Sequence, residues 1–278
     1  MTAALFGAVH TADARLAHKS VIPGPSARTA NPADWQFTVA VRSARSLCTG
    51  VVVGPTKVVT AAHCLSAPGA MQVIANQISL WSGGGETLGV QGFATAPGWT
   101  NRGLGLTRRG FASDLAVLTL SAPTTAPPIR LASPEEDAAY TGTNSRLEVA
   151  GYGVRNPFRW GKPKFGVLTA SPAFVRGNGC GRVYAPATMI CDSGPRSKWV
   201  VSSGRKRRSV QSVPCSGDSG GPMVARTSGG PVLVGITEAA ASPTKSGSRF
   251  YGVLCGLHGY NTIHTRVAAY LAFIQANL

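Results

Sequence analysis

Cys215-Ser216-Gly217-Asp218-Ser219-Gly220-Gly221-Pro222 sets Ser219 among three glycines with no bulky neighbour, so an extended polypeptide could approach its hydroxyl closely. A serine hydroxyl is a weak nucleophile until an adjacent base takes its proton, so a base must come from elsewhere in the chain. Thr60-Ala61-Ala62-His63-Cys64 offers an imidazole beside a cysteine that a disulfide could anchor. Asp114-Leu115-Ala116-Val117-Leu118 puts a carboxylate at the mouth of an apolar, strand-like run. Working outward, short β-branched segments recur at Phe37 to Val41, Val51 to Val53, Val58 to Thr60, Met71 to Ile74, Leu115 to Leu120, Leu147 to Ala150, Met223 to Ala225 and Val232 to Thr237. Gly, Pro, Ser and Asn separate them, and Gly54-Pro55 reads as a hairpin turn. This is the patterning of an all-β chain. Near the C-terminus, Val267, Leu271, Ile274 and Leu278 fall on one helical face.

The order T-A-A-H-C, D-L-A-V-L, G-D-S-G-G-P resembles the chymotrypsin and trypsin family of serine proteases, and the likeness runs from about Trp35 to the last helix. It implies two antiparallel six-stranded β-barrels (chymotrypsin-like) and a C-terminal α-helix, with residues 1–20 a leader or pro-segment. Residues 21–128 would form the first barrel and 129–278 the second, with a linker near Pro123 to Pro128. The resemblance gives Ser219 as nucleophile, His63 as general base and Asp114 as its orienting acid, with the N–H groups of Gly217 and Ser219 forming the oxyanion hole. It also implies the disulfides Cys48–Cys64, Cys180–Cys191 and Cys215–Cys255, where sequence alone allows fifteen pairings of six cysteines.

Members of the family are cut to free an Ile or Val amine that pairs with the Asp before the nucleophile. Asp218 holds that position, and the candidate amines belong to Val21 and Ile22, although Pro23 departs from the usual pattern. The specificity pocket maps to Val213, Ala240 and Thr262. With Val213 in place of an acid, small or medium apolar P1 residues are expected rather than Arg or Lys. Glu238 departs from the family, which places a serine there facing the catalytic Asp. A second carboxylate would repel the first, so we expect either that Thr237 takes the role or that Glu238 turns outward.

The formal charge is +16: residues 140–278 hold seventeen Lys/Arg against four Asp/Glu, and residues 1–139 ten against seven. The two basic runs, Arg155 to Lys164 and Arg196 to Arg208, read as loops, and they suggest attraction to acidic substrates. Nucleic acid is not expected as a partner, because aromatics are few at 7% and not interleaved with the basic runs. No apolar run reaches the ~20 residues of a membrane span. Even, unclustered cysteines suit disulfides in a secreted or periplasmic monomer acting on proteins or peptides. No metal or organic cofactor is implied, and a calcium loop would find little beyond Glu86. Residues 217–221 also fit the G-x-S-x-G elbow of α/β-hydrolases. That reading needs a base after the serine, His258 or His264, with Glu238 the only acid between.

Overall fold

The computed structural model describes residues 28–44, 46–66, 68–99, 113–154, 165–203, 206–241 and 261–278. After the short strand β1 (Arg28–Thr29) come β2 (Thr38–Ser43), β3 (Leu47–Gly54), β4 (Lys57–Thr60), β5 (Met71–Ala75), β6 (Glu86–Thr95) and β7 (Ala116–Leu120). β2 to β7 close into a six-stranded antiparallel barrel in the order β2-β3-β4-β7-β6-β5. The expected hairpin is present, with Val51 opposite Val59 and Gly54 opposite Lys57. Successive strand residues face opposite sides. Val52, Val58 and Leu118 accordingly fill the barrel with Val39, Val41, Val73 and Met71. Val51, Val59 and Val117 face outward and pack with Ala150, Tyr152, Val224, Leu233 and Ile236 of the second lobe. Burial on both faces explains why these strands read as nearly continuous apolar runs rather than alternating ones.

The second lobe contains β8 (Arg130–Leu131), α1 (Pro134–Tyr140), β9 (Arg146–Gly151), β10 (Thr169–Val175) and β11 (Met189–Ser193). It continues through β12 (Arg196–Ser203), β13 (Lys206–Gln211), β14 (Pro222–Thr227), β15 (Gly230–Ala241), β16 (Asn261–Arg266) and α2 (Leu271–Gln275). The ring β9-β10-β11-β16-β15-β14 closes through the β9–β10 pairing, β1 adds to β10, and β8 runs parallel to β15. Two six-stranded antiparallel barrels with a short C-terminal helix are thus present as expected.

Three expectations change in detail. The basic run from Arg196 is not a loop: β12 and β13 pair as a two-stranded antiparallel hairpin, with Val200 opposite Ser209 and Val201 opposite Arg208. The other basic run, 155–164, lies outside the described residues. The C-terminal helix starts with a 3-10 turn, Val267–Tyr270, before α2. That tighter winding, about three residues per turn, makes Val267, Tyr270 and Ile274 the buried face, and Leu278 is exposed. α1, finally, was not foreseen. Ser133 caps it reciprocally with Glu136, Pro134 opens it and three acids occupy its first turn. Asp137 and Thr141 then hold the Arg266 guanidinium at the end of β16.

Candidate active site

His63 stands on a 3-10 turn, Ala62–Cys64, that β4 delivers to the rim of the first barrel. The Cys48–Cys64 disulfide ties this turn to β3. Asp114 arrives from the other side of the same rim, just ahead of β7. The residue before it, Ser113, has φ +74°, a left-handed backbone that costs a non-glycine residue energy and persists only where its surroundings impose it. Those surroundings are visible: the Tyr270 hydroxyl lies 3.0 Å from Ser113 Oγ, and Thr265 Oγ1 donates to the Asp114 carbonyl at 3.0 Å.

The two residues meet at two points. The His63 amide donates to Asp114 Oδ1 at 2.8 Å, and His63 Nδ1 lies 2.6 Å from Oδ2. Asp114 is buried, whereas the His63 side chain keeps 17% of its surface exposed. A carboxylate only accepts, so the ring proton belongs on Nδ1 and the lone pair on Nε2, the tautomer a general base needs.

Ser219 belongs to a turn between β13 and β14 that is pinned from both barrels. Its carbonyl accepts the Thr49 amide of β3 at 2.8 Å and lies 3.7 Å from Cys64 Sγ, next door to His63. Thr49 Oγ1 donates to the Gly217 carbonyl at 2.9 Å and accepts the Tyr152 amide at 3.1 Å. On the far side the Gly220 amide donates to the Thr237 carbonyl at 2.7 Å, and the Thr237 amide to that of Gly221 at 2.8 Å. Gly217 and Gly220 have φ of +98° and +81°. A Cβ at 217 would sit 2.8 Å from Gly153 Cα, and one at 220 would overlap Thr60 Oγ1 and the Thr49 carbonyl. The two barrels thus set the turn that carries Gly217 and Ser219 against the His63–Cys64 turn, which Asp114 grips, from positions far apart in sequence. Thr49, Thr265 and Tyr270, which hold that arrangement, carry no local motif and were not foreseen.

Asp218 points away from the cleft into the protein. Its two oxygens accept the amides of Gly153 at 2.7 Å and Cys215 at 2.8 Å. Complete burial pushes its pKa up to about 7, against those two hydrogen bonds. The expected partner amines, Val21 and Ile22, lie outside the described residues. In the expected pocket, Val213 and Thr262 are fully buried, and Ala240 pairs in register with Thr262 although its side chain lies outside the described residues.

Neither expectation for Glu238 holds. A bulge between Thr237 and Ala239 in the β15–β16 pairing turns the Glu238 side chain inward. It is 3% exposed, with Oε2 3.2 Å from Thr265 Oγ1. Burial first, and the neighbouring Asp114 charge second, push its pKa well above the usual carboxylate range. Thr237 instead lies against His264, its Oγ1 3.3 Å from Nδ1, and His264 Nε2 lies 2.6 Å from Asp192 Oδ1. Both ring nitrogens of His264 are thereby engaged inside the barrel, which removes it as a base for Ser219 and weakens the elbow reading; His258 lies outside the described residues.

The disulfides Cys48–Cys64 and Cys180–Cys191 are formed as expected. Cys215 is also disulfide-bonded, while Cys255 lies outside the described residues. Among the described residues, the one cluster with metal-ligand spacing is Cys48, His63 and Cys64, whose sulfurs are spent in the first bridge. Glu86 accepts from Thr124 Oγ1 at 2.5 Å and the Thr125 amide at 3.0 Å, so its carboxylate anchors the Pro-rich segment after β7. Among the described residues no helix is long and apolar enough to cross a membrane.

Comparison with known proteins agrees with this fold. A family model described as Trypsin matches residues 22–274. A trypsin of Saccharopolyspora erythraea is 30% identical over 78% of this chain and 88% of its own length. Trypsin delta of Drosophila melanogaster is 28% identical over 92% of this chain and 88% of its own. Among solved structures, neuropsin, a serine protease expressed in the limbic system of mouse brain, superposes with a TM-score of 0.64 at 21% identity, covering 90% of this chain and 98% of that one.

Proposed function

Because the chain belongs to the trypsin family of serine proteases and is a serine endopeptidase, we propose that Ser219, His63 and Asp114 form its catalytic triad. Ser219 Oγ bonds to the scissile carbonyl carbon while His63 Nε2 takes its proton. The C–N bond then breaks, that proton passes to the leaving amine, and water hydrolyses the acyl-enzyme by the same route. Asp114 holds the tautomer and stabilises the imidazolium. The N–H groups of Gly217 and Ser219 meet the developing oxyanion, each such donor contributing roughly 10²–10³ in rate. The observation that carries this reading is the two-point grip of Asp114 on His63, with the Ser219 carbonyl fastened to the strand that the His63 disulfide braces.

We propose further that the enzyme is secreted and prefers small or medium apolar P1 residues. Its disulfides support an oxidising compartment. Val213 supplies no charge to an Arg or Lys side chain, and the nearby Asp192 is already paired with His264. Activation by cleavage would bring the Val21 or Ile22 amine to Asp218, a buried carboxyl that a cation would help to ionise. The basic hairpin favours acidic substrate segments, an attraction that salt should weaken. An aryl phosphonate probe tests the nucleophile: it labels the wild type at Ser219, and the label is lost in Ser219→Ala. Labelling elsewhere, or peptide cleavage persisting in Ser219→Ala within ~10²-fold of the wild type, would refute the assignment.

A further inference from the structure

Thr265 Oγ1 sits between two oxygens, the Asp114 carbonyl at 3.0 Å and Glu238 Oε2 at 3.2 Å. A threonine hydroxyl has one proton to give, and a backbone carbonyl can only accept. If Glu238 were ionised it too could only accept, and one of the two contacts would set unshielded lone pairs against each other in a buried site. The other carboxyl oxygen, Oε1, is buried and has no hydrogen-bond partner among the described residues, which is expensive for half of a carboxylate and far less so for the carbonyl oxygen of a neutral acid. One assignment satisfies both contacts: Glu238 O–H donates to Thr265, and Thr265 O–H donates to the Asp114 carbonyl.

We propose that Glu238 is held as a neutral carboxylic acid and acts as a positioning residue, fixing Asp114 through the chain Glu238 to Thr265 to Asp114. The surroundings agree. Asp114, ahead of β7, is the charged group that acts on Glu238, and its effect is repulsive. On β16 the neighbouring titratable side chain, His264, is committed to Asp192 and Thr237. On the C-terminal turn Tyr270 is committed to Ser113. Where a hydroxyl would suffice to tether Asp114, this chain uses a longer acid that holds a second hydroxyl in place. The arrangement works only while the acid keeps its proton, since an ionised Glu238 would add a charge beside Asp114 and break the donor chain at its first link.

This role rests on Asp114 serving His63 in proteolysis, so the test pairs a measurement on activity with one independent of it. In the first, the acid limb of the kcat/KM profile is compared between wild type and Glu238→Gln. Gln has the shape of the neutral acid and an amide that can donate to Thr265, so the limb should stay in place. Were Glu238 ionised, Gln would remove a negative charge beside the dyad and shift the limb to lower pH by about one unit or more. Glu238→Leu, which cannot donate, should lose roughly five- to tenfold in kcat/KM relative to Glu238→Gln, about one buried hydrogen bond. In the second, infrared spectroscopy at neutral pH should show the C=O stretch of a protonated carboxyl in the wild type that Glu238→Gln lacks. Absence of that difference band, or a displaced acid limb in Glu238→Gln, overturns the proposal. An infrared band in a protein that cleaves no peptide would keep the neutral acid and overturn its role in proteolysis.

Discussion

Replacing Thr49 with valine keeps the shape of a fully buried side chain and deletes one oxygen that serves both barrels. That oxygen donates to the Gly217 carbonyl at 2.9 Å and accepts the Tyr152 amide at 3.1 Å. Valine leaves both backbone groups without their partner in a space water does not reach. An orphaned buried polar group costs ~1–3 kcal/mol, so two cost roughly 2–6 kcal/mol. Near the middle of that range the melting temperature should fall by ~6–12 °C. Thr49→Ser keeps the oxygen and loses a methyl group, at a cost of about 1 kcal/mol. The released Gly217 carbonyl belongs to the turn that presents Ser219, so Thr49→Val should also lower kcat by about tenfold while Thr49→Ser stays near the wild type. Thermal melts and steady-state kinetics on a chromogenic peptide read both effects. If Thr49→Val melts within a degree or two of Thr49→Ser, the bridging oxygen is not what fastens the nucleophile turn to the first barrel, and the reasoning fails.

Gly220→Ala should destabilise the fold by several kcal/mol or prevent folding, because the new Cβ meets Thr60 Oγ1 and the Thr49 carbonyl at a positive φ; soluble expression with normal activity would contradict the packing described. Asp218 has an ordinary pKa of 3.8, raised to about 7 when folded. Between those values the folded state holds a proton that the unfolded chain has released, so this group makes stability fall as pH rises from about 4 to about 7. Asp218→Asn should flatten that slope in melts across the window, and an unchanged slope would mean that burial does not hold the carboxyl up. Asp114→Asn should cost ~10⁴-fold in kcat near neutral pH with little change in KM, since the amide disturbs the tautomer more than the geometry; a loss below tenfold would remove Asp114 from the triad.

The proposed triad was legible because each member sits in a short motif whose neighbours are constrained by the same site: Cys64 braces His63, the apolar strand carries Asp114, and Gly217 and Gly220 are imposed by close approach. The first barrel was legible for a related reason, since Val51 to Val53 and Leu115 to Leu120 are buried on both faces and read as apolar runs. β6 and β10 were harder. β6 alternates exposed Gln91 and Thr87 with buried Val90 and Leu88, and β10 carries Ser171-Pro172 at its centre, so neither stands out in composition. α1 did have a signal, Ser133-Pro134-Glu135-Glu136, a cap and a proline opening a helix. The orientation of Glu238 had none. A single bulge decides which way residue 238 faces, and the pairing that makes it joins β15 to residues about 25 positions onward. Thr49 and the His264–Asp192 pair were hidden in the same way, because hydrogen bonds spanning 168 and 72 positions leave no trace in either neighbourhood.

The seat of Asp114 is assembled from Thr265 and Tyr270, which follow Ser219 in the sequence by more than forty positions. A nascent chain that has already made its histidine, its acid and its serine therefore still lacks the supports that force Ser113 into its bend. Until residue 270 has left the ribosome, the acid lacks the seat from which it would orient the base.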